Sequence, residues 1–291
     1  MKKVIIITGP TAVGKTKLAL AIAERFKTEL INADIYQMYK GLDILTAKPT
    51  SNELLKIKHH LVNYLEPSNK YSIYNYQKEV RTLINQFDLP ILVGGSGLYI
   101  DSVIYNYQFV DGNYKLEADK LSNEELIEML YKLDEDSARK IPLQNRRRII
   151  RQIELINMQD KEERSKKDEL VYDALIIALS LPRDVLYKQI NNRVLKMIDD
   201  GLIDEIKNNP NLSDTQLGKA IGYSDGLAYL NNEISLDQMI DNIQKKSRHY
   251  AKRQLTWYRN HQNIHYLNVN LDDFNETINE ATKLIENFLK Q

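Results

Sequence analysis

The chain opens with an unbroken apolar run, Val4-Ile5-Ile6-Ile7, and then changes to a helical period from Lys15, with Leu18, Ala19, Ala21, Ile22 and Phe26 on one face. An apolar β-branched run without alternation predicts a strand buried on both faces. Further strands are predicted over 29–33, 90–93, 174–181 and 264–267, with a short one over 61–65. Helical spacing predicts helices over 184–197, over 236–257 and from 274 onward. Strands alternating with helices imply an α/β fold: a parallel sheet of right-handed βαβ units with helices on both faces.

Between 106 and 172 the pattern becomes helical and highly charged, running from Asn123-Glu124-Glu125 to Lys161-Glu162-Glu163-Arg164 with no convincing buried strand. The expected organisation is a core of 1–105 and 173–291, interrupted by a mainly helical insertion of 106–172. No internal repeat or low-complexity segment is visible.

Composition narrows the chemistry. With no Cys among 291 residues there is no thiolate nucleophile, disulfide or Cys-ligated zinc, and the five His show no metal-ligand spacing. The N-terminal apolar run is too short for a signal peptide, and no stretch approaches the ~18 apolar residues of a spanning helix. A cytoplasmic, monomeric protein without a membrane partner is therefore expected.

Charge balances at 40 Lys+Arg against 40 Asp+Glu, but unevenly. Arg139, Lys140, Arg146, Arg147, Arg148 and Arg151 fall in one acid-free segment, and Lys245, Lys246, Arg248, Lys252, Arg253 and Arg259 in another, leaving the rest of the chain net acidic. Such runs are often solvated helix faces; two of them in an otherwise acidic chain point to a polyanionic partner.

Gly9-Pro10-Thr11-Ala12-Val13-Gly14-Lys15-Thr16 matches G-x-x-x-x-G-K-[ST] between a strand and a helix. The glycines let backbone N–H groups curl around phosphate oxygens, Lys15 adds a cation, and the Thr16 hydroxyl can ligate Mg²⁺. The motif leaves the compound open and is shared by nucleotide- and ATP-binding proteins. P-loop nucleotidases add a carboxylate at a later strand end, yet 90–93 runs into Gly94-Gly95-Ser96-Gly97 with no acid at its tip. Asp34 is the acid at a plausible strand end, either a helix cap or a ligand-facing group at the carboxyl edge of the sheet.

With GPTAVGKT, the segments INADIYQMYKGLDILTAKP, LVGGSGLYI, KAIGY and RHYAKRQLTWYRN follow in order, and together they resemble the tRNA dimethylallyltransferase family. The resemblance implies a P-loop NTPase-like core and transfer of a dimethylallyl group from its pyrophosphate to N6 of adenosine at tRNA position 37, beside the anticodon. It assigns Lys15, Thr16 and Mg²⁺ to the pyrophosphate, Asp34 to the amine, Arg193 to the diphosphate, and Ser96 to the hydroxyl role that Thr usually fills. It places tRNA contacts of the anticodon stem-loop at Asp34, Ile35, Tyr36 and Gln37; at Arg147, Arg148 and Arg151; at Lys219, Gly222 and Tyr223; and at Lys252, Arg253, Gln254, Trp257 and Arg259. Chemistry agrees: Lys and Arg supply phosphate affinity, aromatics stack on unpaired bases, and an adenine must leave its stack to meet a carbon electrophile. The chain departs from the family pattern at Ile35, where Ser is common, at Leu45, where Gly is common, and over 141–145, where His-Pro-Asn-Asp is absent.

Two other readings remain at this point. A P-loop kinase of a small metabolite would turn over ATP, with Arg146 to Arg148 as its lid. A non-catalytic RNA-binding module would leave the P-loop without a task.

Overall fold

The structure, a computed structural model, describes residues 1–107, 109, 116–158, 169–261 and 263–291. These fall into two compact units, Met1–Ile104 with Tyr172–Gln291, and Tyr105–Val171. The break lies one residue from the expected 106–172 at each end.

The first unit is a six-stranded sheet of β1 (Lys3–Thr8), β2 (Leu30–Asn32), β3 (His59–His60), β4 (Ile91–Val93), β5 (Asp173–Ser180) and β6 (Ile264–Asn268). The order is β3-β2-β4-β1-β5-β6 and every pairing is parallel. Central β1 shares register with both neighbours, Ile7 lying opposite Val93 and Ile177. Helices α1 (Lys15–Phe26), α2 (Ser51–Lys56), α3 (Ile73–Gln86), α4 (Gly97–Ile104) and, after the second unit, α8 (Arg183–Asp199), α9 (Leu202–Lys207), α10 (Tyr223–Leu230), α11 (Leu236–Arg259) and α12 (Phe274–Lys290) complete it. One core cluster joins Ile5 and Ile7 of β1, Leu18 and Ile22 of α1, and Ala281, Ile285 and Phe288 of α12.

The predicted strand at 61–65 is absent. Its place is taken by the two-residue β3, and the chain leaves the sheet because Leu61 and Asn63 adopt left-handed backbone with φ of 62° and 54°. Leu65 keeps only a lone bridge to Tyr39. The long helix predicted over 236–257 runs two residues further, started by a capping box in which Ser235 accepts from Gln238 N and Gln238 from Ser235 N.

In the second unit, α5 (Asn123–Leu133), α6 (Glu135–Lys140) and α7 (Arg146–Met158) enclose Leu126, Leu130, Ala138, Ile149 and Ile153. Arg146 donates to Ala118 O and Leu121 O at 2.6 and 2.7 Å, while Arg147, Arg148 and Arg151 remain exposed on α7. The charged stretch from Lys161 to Arg164 lies outside the described residues. Among the described residues no helix is long and apolar enough to cross a membrane.

Ile5 is fully buried at the centre of the sheet. Ile5→Ala is expected to lower the unfolding free energy by about 2–5 kcal/mol, read as a shifted midpoint in urea with unchanged slope.

Candidate active site

Strand order dictates where the chemistry collects. β2, β4 and β1 are neighbours, so the loops that follow them, with Asp34, Gly94 to Ser96 and the P-loop, stand side by side at the carboxyl edge of the sheet. A cavity of about 260 Å³ opens there, lined by Thr11, Lys15, Thr16, Asp34, Arg193 and Arg253 among others. Leu45, Ile190, Val194, Met197, Ile221 and Ile243 give it an apolar wall.

The P-loop bends through Gly9, Ala12 and Gly14, whose φ values are 146°, 65° and 102°. Gly14 precedes the first residue of α1, so the positive end of that helix faces the cavity. Two of the loop's N–H groups already have protein acceptors: Gly9 N donates to the Tyr258 hydroxyl at 2.9 Å and Thr11 N to Gln254 Oε1 at 2.9 Å. The expected backbone cradle therefore narrows to the turn between Ala12 and Thr16. Lys15 Nζ arches back to Gly9 O and Pro10 O at 3.0 and 2.8 Å.

Asp34 is held by its own neighbourhood. Asn32 grips its backbone from both sides, accepting from Asp34 N at 3.0 Å and donating to Asp34 O at 2.8 Å, and Tyr36 N donates to Asp34 Oδ1 at 3.1 Å. That bond occupies Oδ1 while the side chain still lines the cavity, and the short helical turn that follows has Ile35 rather than Asp34 at its N-cap. Gln37 donates to Thr46 O and Ala47 O, and Tyr36 to Lys219 O, which ties the Asp34 segment to two other parts of the cavity wall.

Charge in the site is poorly compensated. Burial, with the nearby Arg193 charge adding to it and Asp34 opposing, pulls Lys15 from 10.5 down to about 7. Burial pushes the Asp34 carboxyl above its ordinary value, against the Tyr36 N–H and the charges of Lys15 and Arg193. Burial also lowers Arg193, which reaches Thr11 Oγ1 at 3.4 Å. Perturbed groups sharing one cavity are the usual mark of a working site.

Helix α11 supplies what sequence reasoning assigned elsewhere. Gln254, expected at the RNA, is buried with both ends of its amide engaged, Oε1 on Thr11 N and Nε2 on Gly95 O at 3.0 Å. Tyr223 is likewise buried, its hydroxyl donating to Asn209 O and accepting from Leu212 N. Both polar groups thus have partners inside the protein, and Gln254 also lines the cavity. Trp257 is half-buried and its indole N–H donates to Asp101. Lys252, Arg253 and Arg259 are exposed, Arg253 lying 5.5 Å from the centre of the Tyr250 ring. Gly222 caps α10 in left-handed backbone, and Ile35 is buried. Ser96 donates its N–H to Ala33 O and lies against the Tyr250 hydroxyl, beside the cavity rather than among its lining residues.

Sequence reading missed Lys48. Lys48 Nζ meets Tyr39 O, Gly41 O, Asp43 Oδ1 and Asn63 Oδ1 at 2.6–2.7 Å and so folds the 39–48 segment that presents Leu45 to the cavity. The signal available was the Thr-Ala-Lys-Pro string itself, which carries no periodicity that would reveal a buried cation.

Lys15 fixes the pH dependence of anion binding. An anion restores its charge, so affinity is fully present below about 7 and falls as pH rises through that value. Calorimetry with inorganic pyrophosphate in buffers of different ionisation enthalpy at pH 8 is expected to show more proton uptake for the wild type than for Lys15→Arg; equal uptake would refute the assignment.

Comparison with known proteins places this geometry. A family model described as IPP transferase matches residues 37–261. The tRNA dimethylallyltransferase of Anoxybacillus flavithermus is 41% identical over 300 residues, covering 98% of this chain and 96% of that protein. The enzyme of the same name from Bacillus velezensis is 42% identical over 275 residues, covering 88% of each. Among solved structures, the tRNA isopentenylpyrophosphate transferase of Bacillus halodurans aligns over 100% of this chain and 99% of its own, with 36% identity and a TM-score of 0.75. A eukaryotic dimethylallyltransferase captured acting on tRNA aligns over 99% of this chain and 79% of its own, with 26% identity and a TM-score of 0.87. From its P-loop core to its α11 signature, the chain belongs to the IPP transferase family, whose members named above are prenyltransferases of tRNA.

Proposed function

We propose that this chain transfers the dimethylallyl group of dimethylallyl pyrophosphate to N6 of adenosine 37 in tRNA and releases pyrophosphate. The observation that carries the reading is one cavity holding a P-loop and helix terminus, a buried carboxylate and an apolar wall together. A diphosphate matches the first, an amine that must lose a proton the second, and a short hydrocarbon the third. With no acid at the end of β4, the arrangement suits substitution at carbon better than phosphoryl transfer from ATP, and the kinase reading loses its support.

The step breaks the C1–O bond of the prenyl pyrophosphate and forms a C1–N6 bond. Lys15, Arg193 and the α1 N-terminus take up the negative charge that gathers on the leaving pyrophosphate. Asp34, whose carboxylate lines the cavity, accepts the N6 proton. The adenine amine is a weak nucleophile because its lone pair is delocalised into the ring, so an ionised acceptor held beside it accelerates attack. Ser96 stands beside the same site with its hydroxyl against that of Tyr250, which lines the cavity.

Among the described residues no three His, Cys, Asp or Glu gather as a metal cage. The oxygen donor of Thr16 in the cavity, shared with substrate phosphates, nevertheless suits Mg²⁺, which favours few protein ligands. When bound, Mg²⁺ would neutralise part of the pyrophosphate charge. The exposed cations Arg147, Arg148, Arg151, Lys252, Arg253 and Arg259 would meet tRNA phosphates, with Lys219 on the cavity wall. The protein would act in the cytoplasm, as a monomer and without a membrane.

The reading is tested by incubating the protein and Mg²⁺ with unmodified tRNA and labelled dimethylallyl pyrophosphate, with ATP in a parallel reaction. Label in the adenosine beside the anticodon is expected; ATP consumption with unlabelled tRNA would reverse the choice. Asp34→Asn is expected to slow a single turnover about 10²–10⁴-fold with tRNA affinity nearly intact. Removing Arg147 and Arg148 charges should weaken tRNA binding and flatten its salt dependence, and an unchanged slope would remove them from the interface.

A further inference from the structure

At the far end of α11 from its capping box, three side chains outside the cavity form a charged cluster. Asp101 of α4 is 7% exposed, and both its oxygens are engaged: Oδ2 accepts from Trp257 Nε1 at 2.7 Å and Oδ1 pairs with His261 Nε2 at 2.8 Å. His261 lies just beyond the last residue of α11, and its Nδ1 meets Trp257 O at 3.0 Å. A carbonyl can only accept, so Nδ1 carries a proton; the carboxylate takes the proton on Nε2. Both ring nitrogens thus face acceptors, which favours the imidazolium, paired with a carboxylate and set at the negative end of a 24-residue helix.

The cluster fixes one surface to another. The Trp257 ring lies against His261 with centroids 4.1 Å apart and planes tilted by 42°, and it also covers Gly97, where a Cβ would come within 2.4 Å of the indole. Gly97 opens α4 directly after Gly94, Gly95 and Ser96. One turn earlier on α11, Gln254 bridges Gly95 O and the P-loop, and one residue after Trp257 the Tyr258 hydroxyl meets Thr8 and Gly9.

We infer that Asp101 and His261 are positioning residues, a charged lock that holds α4 and α11 in the register at which the loop after β4 and the P-loop flank one diphosphate site. The geometry of the lock is independent of the reaction, while its consequence for transfer rests on the prenyltransferase reading. Neither residue lines the cavity, so neither touches substrate.

The lock is sensitive to pH. Burial disfavours the imidazolium, but the Asp101 carboxylate from α4 and the Trp257 carbonyl from α11 more than offset it, and His261 titrates above its ordinary 6.5. The stabilisation is full below the unfolded value and is lost as pH rises through the raised one.

Histidine ¹⁵N NMR of the full chain, joined to transfer rates at saturating substrates, tests this. Saturation matters because Lys15 alone already makes pyrophosphate affinity depend on pH. We expect both His261 ring nitrogens protonated at pH 7, and a transfer rate that falls with rising pH at the midpoint of that titration. Asp101→Asn should lower the rate on the order of tenfold, as misplacement of reacting groups does, and remove that fall while leaving tRNA affinity unchanged. His261→Arg should recover part of the rate without the pH dependence. A neutral His261 at pH 7 would overturn the proposal, as would variants that melt earlier yet keep the wild-type rate and pH profile. Should the wild type fail to prenylate tRNA while His261 titrates high and Asp101→Asn weakens pyrophosphate binding at pH 6.5, the lock stands and the transfer reading falls.

Discussion

The grip of α11 on the phosphate-binding loop is the interaction from which the site follows. A P-loop needs glycines and left-handed backbone to curve, so it has little stiffness of its own. Here two hydrogen bonds, from Gly9 N to Tyr258 and from Thr11 N to Gln254, hold it from outside. The second end of the Gln254 amide reaches Gly95 O, so a single side chain sets the separation of the loops after β1 and β4. That contact demands glycine: a Cβ at residue 95 would lie 2.1 Å from Gln254 Nε2. Leaving any of these buried groups without its partner costs about 1–3 kcal/mol, comparable with a large part of a domain's net stability.

This arrangement explains why the α11 signature is polar on a face that packs inward. Tyr250, Gln254 and Tyr258 recur every four residues, which aligns them along one side of the helix, with Ala251 buried beside them. Lys252, Arg253, Thr256 and Arg259 fall on the exposed side. One helix thus presents hydrogen-bonding groups to the phosphate loops and cations to solvent, which suits an enzyme whose two substrates are a small diphosphate and a large polyanion.

Much of the fold was legible because the core strands are continuous apolar runs, and 4–7, 91–93 and 174–179 could hardly lie anywhere but inside a covered parallel sheet. The P-loop and Asp34 were legible because strand ends of such a sheet face ligands. The edge strand was not: its position depends on left-handed residues at Leu61 and Asn63, and although Asn tolerates that backbone, Leu does not announce it. Nor could spacing separate inward from outward polar residues on α11, since Gln254 and Arg253 are adjacent and differ only in which loop happens to lie opposite. Ile35 and Leu45, which depart from the family pattern, are buried apolar residues, and Leu45 Cδ1 sits where a Cβ on Gly222 would lie 2.8 Å away. The departures are absorbed by packing.

Two enclosed lysines show how structure separates support from chemistry when composition cannot. Burial lowers both. Lys48 is compensated by the Asp43 carboxylate and three further oxygen acceptors, a saturated arrangement with nothing left for a ligand. Lys15 has two carbonyls of its own loop, an arginine that repels it, and a cavity in front. An ammonium in that position is unstable as a charge until an anion arrives, and Asp34 opposite it is equally reluctant to ionise. The same desolvation that disfavours both charges in the empty site strengthens their interactions with a bound diphosphate and a proton-donating amine. A site that leaves its charged groups short of partners therefore directs its electrostatic energy to the substrates, and the saturated lysine beside it keeps the wall in place while it does so.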